Sequence, residues 1–204
     1  MTASNSLIGK DINQADTPAL WVDLDAFEAN ARKMLALCNA QNVRWRPHVK
    51  ASKSPDLAQR LTDIGAQGIT CAKVAEAEAM VAGGISDILV ANEIVGETKI
   101  RRLAQVATRA RVAVACDNIH NIEEISAIAS EAGVTIDILV DINVGANRCG
   151  VTPEKAPALA QMVQELPSVH LRGLMGYEGH VMGMQPEDKE AASVKAAEVL
   201  SEAQ

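Results

Sequence analysis

The sequence predicts an α/β fold, an incomplete (β/α)8 barrel of the TIM type, on three observations. Apolar stretches of strand length alternate with helix-length stretches along the chain, which demands parallel strands joined by crossover helices. Strand segments such as DILVA, VAVAC and DILVDI are apolar almost throughout, as strands are when helices cover one face and a packed interior the other. Polar residues gather at the C-terminal ends of these strands, and no GxGxxG follows any of them. The last observation favours a barrel over a dinucleotide-binding doubly wound sheet; periodicity alone fits either.

Each element follows from local chemistry. After a polar leader, Pro18 to Leu24 (PALWVDL) reads as a strand, and Asp25-Ala-Phe-Glu28 as a capping box opening a helix to about Asn39. Val43 to Lys50 reads as a short strand. Ser54-Pro55-Asp56 then supplies an N-cap, a first-turn proline and an early acid for a helix that Gly65 stops after about Ile64. The pattern repeats with strand Gly68–Cys71 and helix Val74–Ala82, strand Asp87–Ala91 and helix Thr98–Arg109, and strand Arg111–Cys116 and helix Ile119–Ala132. Strand Ile136–Ile142, helix Pro153–Leu166, strand Leu171–Tyr177 and a helix from about Glu187 complete it. Counted from Val43 these are six βα units, two short of a closed barrel, a fold of roughly 250 residues. Residues 1–42 are expected to form a leader, a first strand and a helix, and residues 43–204 a partial barrel whose open edges predict poor solubility of the 204 residues alone.

Composition narrows the function classes. A net charge of −7 and an aromatic content of 2% disfavour nucleic acid, which is held by clustered cations and stacked rings. One small anionic ligand remains compatible, because a phosphate needs only a few local donors. Cys38, Cys71, Cys116 and Cys149 show no CxxC pair or regular spacing, so neither a zinc knuckle nor a disulfide framework is indicated. The leader has no apolar core of signal-peptide length and no run reaches a membrane span, so a cytoplasmic protein is expected.

Three clusters carry the chemistry. Lys50 lies within RWRPHVKASKSP at the end of its strand, which would deliver it to the barrel mouth; a lysine there is either solvated or desolvated enough to attack an aldehyde. His48, two residues earlier, shares its side of the strand and either lines the site or packs in the barrel. In DINVGANRCGVTP, Arg148 offers a permanent charge for an anionic group, or else a surface ion pair. In GLMGYEGH, Tyr177, the chain's one tyrosine, offers a hydrogen bond to an anion, and His180 a group that moves protons near neutral pH or a merely structural ring. Asn92, Glu93 and Asp117 read as capping or loop residues, and Lys53 as a solvated neighbour.

TPALWVDLDAFEAN, RPHVKASKS and AKVAEAEAMVAGGISDILVANEIVG together resemble the family of D-threonine aldolase, D-serine dehydratase and 3-hydroxy-D-aspartate aldolase over nearly the whole chain. These are pyridoxal-phosphate enzymes of the alanine racemase class (fold type III), a barrel followed by a β-rich domain. The resemblance implies a lyase acting on D-configured β-hydroxy amino acids, by retro-aldol cleavage to glycine and an aldehyde or by dehydration of D-serine or 3-hydroxyaspartate. It implies that Lys50 carries pyridoxal 5'-phosphate as a Schiff base and that Arg148 reaches into the cofactor site; from their positions Tyr177 and His48 are expected beside the cofactor, and His180 is the nearest candidate base. It implies a homodimer when complete, and a divalent metal whose ligands lie outside this chain, as do the β-rich domain and the phosphate cup. Two departures bear on this. Ala72-Lys73 stands where several relatives have glutamine beside the cofactor, and Gly183 stands a few residues beyond GYEGH, where some aldolases carry a histidine. A pyridoxal-phosphate carrier without activity would keep Lys50 on the same barrel, whereas an α/β interaction module would not need it.

Overall fold

The computed structural model describes residues 7–204. Strands β1 (Ile69–Cys71), β2 (Asp87–Glu93), β3 (Arg111–Cys116), β4 (Ile136–Ile142) and β5 (Val169–Gly176) form one sheet in that order. Every pair is parallel. Sequential order is what periodicity left open: a doubly wound sheet reverses at a switch point, whereas a barrel adds each strand on the same side of the last. The described helices are α1 (Leu24–Ala40), α2 (Pro55–Ile64), α3 (Val74–Ala82), α4 (Glu97–Ala107), α5 (Ile119–Ala132), α6 (Ala156–Glu165) and α7 (Pro186–Glu202).

The sequence-predicted bounds of α3, β3, α5 and β4 coincide with the observed ones. Ser54 caps α2 as expected, its Oγ accepting from the Leu57 N–H at 3.3 Å, with Pro55 in the first turn and Gly65 at φ 125° closing the helix. A 3-10 turn, Pro153–Lys155, precedes α6.

Two expectations at the start of the chain are corrected. Pro18–Leu24 forms no strand: no described segment pairs with it, and Leu20 and Trp21 lie 76% and 70% exposed. Strand-like composition does not hold an extended conformation without a neighbour to bond and pack against. The cap of α1 is Asp23, in extended backbone, whose Oδ1 accepts from the Ala26 N–H at 3.0 Å. Glu28, expected in a capping box, pairs instead with Arg60 at 2.8 Å, tying α1 to α2.

Val43–Lys50 is extended but touches the sheet at a single parallel bridge, His48 to Thr70. Backbone bonds from Thr70 N–H to the Pro47 carbonyl (2.8 Å), Val49 N–H to Thr70 (2.9 Å) and Gln67 N–H to Trp45 (2.8 Å) fasten it along β1. It therefore adds a sixth wall segment to the partial barrel.

Alternation sorts the strand residues by face. Ile69, Cys71, Ile88, Val90, Val112, Val114, Cys116, Ile138 and Val140 are buried against the helices with Ala77, Met80, Ile100, Leu103, Ile122, Ile125 and Val163. Each such aliphatic side chain contributes about 1.5–3 kcal/mol of burial free energy. Thr70, Leu89, Ala113, Ala115, Asp137 and Asp141 take the opposite parity, on the face a barrel turns inward.

At the N-terminal end of this inner face lies a layer of paired charges. Asp137 binds Arg111 (2.8 Å), Arg172 (3.1 Å) and His170 (3.1 Å), and Asp87 binds Arg46 (2.8 Å). Burial alone would raise the Asp137 carboxyl, but hydrogen bonds from Arg111 and His170, with the charges of Arg111 and Arg172, hold it below the usual carboxylate range. The charges that face inward at this end are thus paired with opposite charges within the wall, which leaves the opposite end for chemistry.

Candidate active site

The candidate residues stand along the C-terminal ends of the strands. Val49 is buried on the helix side, so His48 and Lys50 emerge on the inner side, as their spacing predicts. The chain then turns sharply: the Lys53 N–H returns to the Val49 carbonyl at 2.8 Å, with Lys53 at φ 48°. Lys50 is thereby the last residue of the wall segment, with an exposed side chain. His48 is held at its base, Nδ1 accepting from the Lys50 N–H at 3.2 Å. Partial burial and the adjacent Lys50 charge hold the His48 imidazole below its ordinary value, the neutral form that an accepting Nδ1 requires. Lys53 is more than a solvated neighbour. Its Nζ lies 3.7 Å from the buried Glu76, whose other oxygen accepts from the Ala72 N–H at 2.8 Å.

Arg148, Tyr177 and His180 are brought together by the loops after β4 and β5. The guanidinium carbon of Arg148 stands 5.0 Å from the centroid of the Tyr177 ring, a cation–π pair. That ring covers Gly179, where a Cβ would collide with it. The His180 ring lies against Gly145, at φ +120°, where a Cβ would come within 3.0 Å of Cε1 and Nε2. Its Nδ1 is buried without a hydrogen-bond partner among the described residues. The loop carrying Arg148 is fixed from within: Asn143 Oδ1 accepts from the Gly145 and Asn147 N–H groups, both at 3.1 Å.

Asn92 and Asp117 have the loop roles expected of them, Asn92 Nδ2 donating to the Ala72 carbonyl at 3.2 Å and Asp117 Oδ2 accepting from the Gly150 N–H at 2.9 Å. Between the Lys50 segment and the Arg148 loop, sequence reasoning missed a group: Glu93 at the end of β2, Asp141 on the inner face of β4 and Cys149 beside Arg148, with ligating atoms within 4.8 Å of one another. The available signal was parity, since Asp137 and Asp141 fall on the inward positions of the otherwise apolar IDILVDI.

With this geometry in place, comparison with known proteins decides the family. The model for the alanine racemase N-terminal domain matches residues 22–203. The chain belongs to this family. Within the alanine racemase N-terminal family, it is 42% identical to the D-threonine aldolase of an Arthrobacter species over 190 residues, 93% of this chain and 50% of that protein. It is 39% identical over 195 residues to the 3-hydroxy-D-aspartate aldolase of Paracoccus denitrificans, covering 94% of this chain and 50% of the relative. The crystal structure of D-threonine aldolase from Filomicrobium marinum superposes with a TM-score of 0.89 at 43% identity, over 92% of this chain and 52% of the other. The D-threo-3-hydroxyaspartate dehydratase of Delftia sp. HT23 gives 0.76 at 30% identity, over 92% and 52%. The chain thus spans about half the length of these relatives. Among the described residues no helix is long and apolar enough to cross a membrane.

Proposed function

We propose that this chain is the cofactor-binding barrel portion of a pyridoxal-phosphate lyase that cleaves D-configured β-hydroxy amino acids to glycine and an aldehyde. The observation that carries the reading is the placement of Lys50 as the terminal residue of a barrel wall segment, on the inner side, in the same row of strand ends as the Arg148–Tyr177 pair. The identities of 42% and 39% to proteins named as aldolases support the retro-aldol reaction over others.

The donor set fits pyridoxal phosphate: a primary amine for its aldehyde, a guanidinium for an anionic oxygen, a phenol that hydrogen-bonds, and a buried His180 Nδ1 still lacking a partner. When bound, the cofactor supplies an electron sink for the bond that breaks at Cα. Lys50 holds it through Nζ, and His48, neutral and bonded to the Lys50 N–H, anchors the turn from which that amine projects. Arg148, kept over Tyr177, meets negative charge without giving up a proton. His180 receives the proton of the substrate β-hydroxyl, and Gly145 leaves its ring the room it occupies. On this reading the divalent metal beside the substrate hydroxyl takes its ligands from outside residues 1–204.

Dehydration is the second reading, favoured by the 30% identity to D-threo-3-hydroxyaspartate dehydratase. The four cysteines, all without disulfide partners, agree with a reducing, cytoplasmic setting, and a homodimer follows from the resemblance alone. The test is to supply the complete, metal-loaded protein with D-threonine, D-serine and 3-hydroxy-D-aspartate. Glycine formed with an aldehyde supports the lyase as proposed; ammonia and a 2-oxo acid would transfer it to the dehydratases, and no turnover would leave a carrier.

A further inference from the structure

We infer that Glu93, Asp141 and Cys149 form a binding site for one divalent cation of the zinc class inside the barrel mouth, a site distinct from the metal assigned above to ligands outside this chain. Strands β2 and β4 are not neighbours; β3 runs between them, and it places only the small Ala115 on the inner face near its end. Glu93 from one side, Asp141 from the other and Cys149 from the loop above therefore converge over a gap in the lining. One carboxylate oxygen of each acid and the Cys149 Sγ lie within 4.8 Å of one another. A tetrahedral zinc ion with bonds of about 2.1 Å to oxygen and 2.3 Å to sulfur holds such atoms roughly 3.5 Å apart, so small side-chain rotations close the site.

A separate observation points to a missing ligand. Asp141 is 5% exposed, and its Oδ1 is buried with no hydrogen-bond partner among the described residues. A carboxylate so placed costs free energy unless a donor or cation meets it. No described group bonds to that oxygen; Arg148 lies over Tyr177 and beside Cys149, and it acts on Asp141 only through its charge.

A divalent cation binds thiolate and carboxylate and releases to solvent any protons these groups hold. One sulfur among the donors selects zinc over magnesium or calcium, which prefer all-oxygen shells. Three protein ligands leave a fourth position open for water or a small anion. None of the three residues holds the cofactor in the reading above, so the two stand or fall separately.

The test is to titrate Zn2+ into the metal-free 204-residue chain against a chromophoric chelator, then repeat with Co2+ and record near-ultraviolet thiolate-to-cobalt absorption. We expect one equivalent bound, affinity lowered about tenfold or more in Cys149→Ser and in Asp141→Asn, and the cobalt–thiolate band lost in Cys149→Ser. Far-UV circular dichroism checks each fold; should Asp141→Asn unfold, the cobalt band and Cys149→Ser still decide. No saturable binding to the folded chain, binding unchanged in Cys149→Ser, or cobalt bound without a thiolate band would overturn the site.

Discussion

The guanidinium of Arg148 stands 5.0 Å above the ring of Tyr177, on the loops that follow neighbouring strands β4 and β5. The ring is exposed and rests on Gly179, so it serves as a platform that keeps the charge of Arg148 in the mouth. Removing the platform releases a long, flexible side chain, and removing the hydroxyl alone does not. Tyr177→Ala is therefore expected to weaken pyridoxal-phosphate binding by roughly threefold to tenfold, in line with a cation–π pair of about 0.5–1 kcal/mol and the lost ordering of Arg148. Tyr177→Phe should keep most of that affinity, as measured by titration of cofactor absorbance. Equal losses in both variants would assign the effect to the phenol hydroxyl.

At the other end of the wall, Asp137 is the acceptor for three cationic groups, and only 10% of its side chain is exposed. Asp137→Ala should destabilise the chain by roughly 2–4 kcal/mol, less than a fully buried pair because Arg111 keeps 57% exposure. Since the folded carboxyl titrates below its ordinary value, its contribution is complete above the unfolded carboxylate range and is lost as pH falls through the lowered folded value. Urea midpoints should therefore differ most between wild type and variant near pH 7 and draw together only as pH falls through the lowered carboxyl value.

His48 offers a pH readout at the Lys50 turn. Burial first and the Lys50 charge second hold its value down, so its NMR titration midpoint should lie below that of a free histidine. Protonating Nδ1 would remove the acceptor for the Lys50 N–H. The stability His48 contributes is therefore present above its unfolded value and declines as pH falls through the lowered folded one. Lys50→Ala should move the midpoint upward only in part, because burial persists. A midpoint unmoved by that change would show that the two side chains do not sense each other.

Where local rules acted alone, the sequence could be read directly. Ser54-Pro55-Asp56 and Gly65 bound α2 because capping is a property of a few adjacent residues. The apolar runs of β3 and β4 were legible because both their faces are covered. Pro18–Leu24 misled because strand formation depends on a partner that sequence pattern does not contain. In the candidate site, Lys50, Arg148, Tyr177 and His180 stood out as residues of chemical type at strand ends. Glu93, Asp141 and Cys149 did not, since they lie 48 and 8 residues apart in sequence and only the parallel order of β2, β3 and β4 brings them together. The split roles of Asp137 and Asp141 were equally hidden: both share inward parity, but Arg111 and Arg172 reach only the first.

The most direct measurement is to mix the protein with pyridoxal phosphate, reduce with borohydride and locate the modified peptide by mass spectrometry, with Lys50→Ala alongside. A label on Lys50 that disappears in Lys50→Ala is the result expected of a wall segment that ends in the cofactor lysine. Selective labelling of another lysine, such as Lys53 or Lys73, or no selective label on the complete protein, would contradict it.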